Sequence, residues 1–337
     1  MPVRMDRKLG LGRVAMAGRQ RGLSCLLLLL PLGFATTLAT APPSPTQPQS
    51  QALQGLANTR WEIRSRAVAQ LATIPPDSIG PDARRALINL LQSETAALWN
   101  KLEGTDPEAY PPQGEAGEPW AEYYASILGT VAKLHDPSAV PALVDAAAEP
   151  DPRLDKEIAS QGASAIAEVR RRLDSLSSID IRLPGFTGVE YEAEQALMDI
   201  LAQLVALNRT KKLAQPLSRP DLAAIQQSAR PFLRSKSPWV ATRAARTLAV
   251  VAAPSDEEAV RETFAGLLKD PDHNRREIAL SAMRGITDSR FVPVNELKRV
   301  AERDSFQLAG PTADYPVGAH PLRHQAAQIL RNLHPAQ

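Results

Sequence analysis

The chain has 337 residues, with 39 Lys and Arg against 37 Asp and Glu, 44% apolar residues, 4% aromatic residues and one cysteine. So small an aromatic share, with alanine and leucine recurring throughout, argues against a sandwich of aromatic and β-branched strands and for closely packed helices. The length allows two ordinary domains or one elongated array of small units.

Residues 1–41 carry the three-part layout of a secretory signal. Arg4, Arg7, Lys8, Arg13, Arg19 and Arg21 stand against the single Asp6, followed by the apolar run LSCLLLLLPLGF and the small residues ATTLATA. Cleavage after Ala39 is expected, and Met16 opens a shorter signal of the same kind. The competing reading is an uncleaved anchor over Leu23–Ala41, a charge-free stretch near the lower limit for spanning a bilayer. Removing six basic residues and one acid turns the formal charge of +2 into about −3. The basic character therefore belongs to the presequence, and nothing in the remainder calls for nucleic acid. Cys25 leaves with it, which excludes disulfides, a cysteine nucleophile and a Cys-type zinc site and suits a periplasmic or secreted chain.

Residues 42–52, with four prolines between Ala41 and Gln51, read as an extended, disordered linker. A repeat domain is expected over 53–335. Its first periodic helix places Ile63, Ala67, Leu71 and Ile74 at offsets of four, eight and eleven. The segment 103–119, rich in Pro, Gly and Glu, reads as an insertion between complete helices. The same spacing then returns as Tyr123, Ile127, Val131, Leu134, more weakly around Ala159, as Ala193, Leu197, Leu201, Leu204, and as Val240, Ala244, Leu248, Val251. Arg275, Ala279, Met283, Ile286 fits at three of four places, the segment 304–318 reads as a second insertion, and Leu322, Ala326, Leu330, Leu333 closes the series.

After each periodic helix comes a short turn and a second apolar-periodic stretch. Two of those turns, DPSAVP and DSRFVP, pair a capping Asp with a proline suited to a first helical turn. The marks 67, 127, 159, 197, 244, 279 and 326 thus describe an all-α array of about six or seven antiparallel helix pairs. The run VATRAARTLAVVAAPSDEEAVRETFAGLLKDPDHNRREIALSAMRGI resembles HEAT-like repeats of the short bacterial type, whose first helix tends to read Val-Arg-x-x-Ala-x-x-x-Leu. The resemblance is best over 237–300 and weakest over 150–188. It implies a superhelical solenoid with a binding role and no chemistry, with second helices lining the concave side.

Candidate contacts for a protein or peptide partner follow from that reading. Tyr110 and Trp120 border the first insertion, where a loop on a rigid scaffold could bind. Arg170 and Arg171, in EVRRRLDS, and Arg230 and Arg234 lie on second helices and could form a basic stripe. Glu168, Asp174, Glu257, Glu258, Glu262, Glu296 and Glu302 share those helices and favour solvated faces with local ion pairs. Trp61 and Trp239 each precede a periodic helix and are expected in packing between repeats. His320 and His324 lie one turn apart, but with no HExxH and no acid after Pro316 they read as an ordinary helix start. No cofactor, metal or catalytic set is expected, and the reading is a non-enzymatic scaffold, its alternatives being a membrane-anchored structural adaptor and an enzyme with a groove site assembled across repeats.

Overall fold

The structure is a computed structural model that describes residues 47–102, 117–148, 151–177, 189–311 and 315–333. The expected signal or anchor at 1–41 and Tyr110 lie outside these. Among the described residues there are fourteen α-helices and no strand: α1 (Gln47–Leu56), α2 (Trp61–Ala72), α3 (Pro81–Leu102), α4 (Gly117–Lys133), α5 (Val140–Asp145), α6 (Pro152–Ser160), α7 (Ala163–Ser177), α8 (Val189–Arg209), α9 (Arg219–Ala229), α10 (Pro238–Val251), α11 (Glu257–Leu268), α12 (His273–Met283), α13 (Val294–Arg303) and α14 (Pro321–Leu333). The chain is an all-α solenoid.

Every periodic mark falls on an even-numbered helix and is buried: Ala67, Ile127, Ala159, Leu197, Ala244, Ala279 and Ala326 are all at 3% exposure or less. The even helices pack in a row, each against the next, from α2 to α14. The odd helices form a parallel row, in which a 3-10 turn at Arg230–Arg234 carries the contact from α9 to α11. Neither row can bury its apolar stripe alone, so stacking supplies the core, and small residues at the marks allow close approach. Because α6 packs on α8 and α7 on α9, the array is continuous across 178–188.

The pairing is offset by one helix from the sequence reading. Even helices pack closely on the odd helix before them, as α1 with α2, α3 with α4 and α13 with α14, which makes seven pairs; α10 meets the turn at Arg230–Arg234 after α9 and also packs on α11. The N-terminal pair exists because part of the expected linker is helical. Residues 42–52 were expected to be extended, yet Gln47–Leu56 forms α1, since Pro48 falls in the first turn where it costs no hydrogen bond. Ala52 and Leu56 are buried, and Gln49 donates to Ser78 O at 2.7 Å and accepts from Gly80 N at 3.3 Å. Gly55 lies so close to α2 that an added Cβ would meet the Ala67 Cβ at 2.7 Å.

The insertions are shorter or better anchored than expected. Of 103–119, the last residues belong to α4, which starts at Gly117. The second, 304–318, is irregular but tied down. Asp304 is buried against Arg276, Phe306 stacks on His273 with ring centroids 4.0 Å apart, and Leu308 and Ala319 are joined by a backbone hydrogen bond of 3.1 Å.

Turn chemistry follows the sequence. Asp136 caps Ser138 N, Asp151 caps Arg153 N, Asp272 caps Asn274 N and Asp288 caps Arg290 N. An arginine three residues before a mark grips the loop that leads into its own helix. Arg64 donates to Asn58 O and Thr59 O and pairs with Glu94 at 2.6 Å. Arg276 repeats this with Asp270 O, Pro271 O and Asp304 at 2.7 Å. Arg323, at the same place in α14, donates to Asp304 O at 2.7 Å.

Candidate functional site

Helix α10 buries Val240, Ala241, Thr242, Ala244, Ala245, Thr247, Leu248 and Ala249. Steps of four and three leave Trp239, Arg243 and Arg246 along one stripe that is not fully buried, and Val250, next on that line, packs half-buried against the core. Trp239 is 44% exposed, one of two large hydrophobic side chains so exposed among the described residues, the other being Val317. This corrects the expectation that Trp239 packs between repeats. Ser237 caps α10, which sets Trp239 in its first turn.

Beside the stripe, α8 and α6 contribute charge. Thr247 donates to Met198 O at 3.1 Å and locks α10 against α8. One turn away, Asp199 Oδ2 lies 3.4 Å from Arg243 Nε, which is buried and makes no hydrogen bond. By contrast, the Arg64, Arg276 and Arg230 pairs elsewhere close to 2.6–2.7 Å. Burial and the neighbouring Arg243 hold the Arg246 guanidinium below its usual pKa, opposed only by Asp199. Asp199 itself is pushed up by burial, with Arg243 and Arg246 opposing.

Asp155, on α6, is 5% exposed and its Oδ1 accepts no hydrogen bond. Burial, then Asp199 and Asp151, push its carboxyl up to about 8, against the pull of Arg243. Three neighbouring even helices therefore hold a loosely paired set of charges, Asp155, Asp199, Arg243 and Arg246, next to an exposed tryptophan. With Asp155 neutral the set carries one surplus positive charge.

The residues expected from sequence are not brought together there. Trp120 is 6% exposed and stacks on Tyr124 at 5.3 Å, so it belongs to the core of α4 and not to a binding loop. Arg171 is held by Asp145 at 2.6 Å and Glu168 at 2.7 Å. Arg230 is held by Asp256 at 2.7 Å and Ser255 at 2.9 Å. Arg170 and Arg234 are exposed on α7 and on the turn after α9. No basic stripe results, because two of the four arginines are occupied by carboxylates of their own surroundings. His320 Nδ1 lies 2.9 Å from Phe306 O and His324 packs edge-on to Tyr315, and no group of three or more His, Cys, Asp or Glu among the described residues could hold a metal. An open cleft of about 300 Å³ at Leu56, Arg64 and Glu94 is lined by the Arg64 staple described above.

No family model and no curated protein matches this chain. Among solved structures, the complex of CpcE and CpcF of phycocyanin lyase from Nostoc sp. PCC7120 aligns at 18% identity and a TM-score of 0.34, covering 89% of this chain and 98% of that one. An engineered protein aligns at 19% identity and a TM-score of 0.34, over 72% of this chain and 97% of its own. A second engineered protein aligns at 18% and 0.34, over 85% and 78%.

Asp199, Arg243 and Arg246 escaped the sequence reading although a signal existed. Asp199 interrupts the apolar run ALMDILAQL, and Arg243 and Arg246 are the sole charges in WVATRAARTLAVVA. A charge inside a helix that is apolar nearly all round marks a place where the helix meets either a partner charge or solvent.

Proposed function

We propose that the chain is an exported, non-enzymatic repeat scaffold that binds a protein or peptide partner through the free stripe of α10. The observation that carries this reading is Trp239, large, apolar and 44% exposed, aligned with Arg243 and Arg246 on one rigid helix. Tryptophan and arginine are the side chains that dominate interface energetics, and a helix inside a stacked array presents them without ordering cost. Export is supported by the three-part layout of residues 1–41. Among the described residues no helix is long and apolar enough to cross a membrane.

The test uses the chain purified from its native envelope, with a photo-crosslinking residue placed at 239. Crosslinked partner should be recovered with the wild-type stripe and lost when Arg243 and Arg246 are both replaced by Gln. Equal recovery from a chain crosslinked at Arg170 would place the contact elsewhere. Intact mass of the same material should give a first residue between Thr36 and Pro43, and a mass that includes residues 1–35 would favour the anchor.

A further inference from the structure

We infer that the α10 stripe takes an acidic protein segment, seating one carboxylate against Arg246 and Arg243 and an apolar side chain over Trp239, with Asp155 setting the strength of that grip. This rests on the binding role proposed above and specifies its partner by chemistry.

The first argument is charge complementarity. Arg246 is half-buried on that line of α10, and Asp199, the acid whose charge acts on it, lies 3.4 Å from Arg243 Nε. A partly desolvated guanidinium with no close carboxylate loses hydration without recovering a charge-assisted hydrogen bond, and its planar fork matches a carboxylate in two bonds. The second argument is the contrast within the molecule. Arg64 and Arg276, the two arginines that staple the loops before α2 and α12, each have a carboxylate within 2.6–2.7 Å, and so do the more exposed Arg171 and Arg230. The middle layers depart from that pattern, with Arg243 Nε at 3.4 Å and Asp155 Oδ1 without a hydrogen bond.

The neighbouring acid selects the partner. Asp199 lies against Arg243, so a continuous polyanion such as nucleic acid, or a sheet of anionic headgroups, would meet repulsion beside the arginines. A single side-chain carboxylate can reach the arginines and leave the aspartates covered. The charges acting on Asp155 are Asp199 from α8, Asp151 at the head of its own helix and Arg243 from α10. While Asp155 is neutral, Arg243 is drawn by Asp199 alone and the set is net positive. When Asp155 ionises, the set becomes neutral and Arg243 is drawn inward, away from an incoming carboxylate.

The experiment titrates the full mature chain with a fluorescein-labelled twelve-residue peptide of Glu, Leu and Gly, followed by anisotropy, with the corresponding Lys peptide, a single-stranded oligonucleotide and phosphatidylglycerol vesicles as competitors. The acidic peptide should bind and weaken about tenfold in Arg246→Gln, which loses one charge-assisted contact. Arg170→Gln should leave it unchanged. Affinity should fall as pH rises from 6.5 to 9, and Asp155→Asn should remove that fall. Preference for the Lys peptide, displacement by oligonucleotide or vesicles ahead of unlabelled acidic peptide, or an unchanged Arg246→Gln would overturn the inference. If the crosslinked partner depends on the stripe while the acidic peptide fails to bind, the binding role stands and the acidic partner falls.

Discussion

At the residue scale the most consequential group is Asp155. Its carboxyl is raised from 3.8 to about 8 by burial first and by Asp199 and Asp151 after it. Between those two values the folded chain holds a proton that the unfolded chain has released. The stability this contributes is therefore complete below pH about 4 and is lost as pH rises through 8. Melting temperature should fall between pH 6 and 9 in the wild type, and Asp155→Asn should flatten that slope and stabilise the protein at pH 8 by on the order of 2 kcal/mol or more. Thermal scans across that range decide it, since an unchanged slope in Asp155→Asn would assign the titration to another group. None of this was legible from DKEIAS, where Asp155 reads as an ordinary first-turn acid. Its burial comes from α8 lying across α6, a contact made by residues more than thirty positions away.

At the element scale, the periodic helices were legible because a stripe at offsets of four, eight and eleven is the imprint of burial on one side. Helix α1 was not, since four prolines dominate the composition of its neighbourhood and only Ala52, Leu53 and Leu56 mark its apolar side. Its seat against α2 depends on Gly55, where a methyl group would meet the Ala67 Cβ at 2.7 Å. Gly55→Ala should accordingly destabilise the chain by about 1–3 kcal/mol, although alanine is the better helix former by about 1 kcal/mol. Urea unfolding measures this, and a stabilised variant would mean that α1 can shift outward at no cost. The basic stripe imagined on the odd helices failed for a related reason. Glu168, three residues before Arg171, was visible in the sequence, but Asp145 and Asp256, which complete the hold on Arg171 and Arg230, lie 26 residues away from them.

At the scale of the whole molecule, the solenoid was legible as a count of recurring marks, while its phase was not, because a turn and a loop of similar length look alike until packing shows which helices sit closest. Among the described residues the main packing of each helix is with its row neighbours and with helices of its own or the adjoining pair. Deleting residues 321–337 should therefore strip cover from Leu297 and Val300 on α13 and from Leu280 and Met283 on α12, and leave α3 to α8 protected. Hydrogen exchange should rise in α11 to α13 alone, and a uniform rise along the chain would show one cooperative core instead of a stack. The two rows of neighbour-only contacts also have a mechanical meaning. Joints in series add their compliances, so a tilt of a degree or two at each junction, too small to break any hydrogen bond, sums over seven pairs into a large change in the distance between the chain's ends. A partner held on α10 in such a spring would feel tension applied at either end as a change in the spacing of α6, α8 and α10, the helices that would frame its seat.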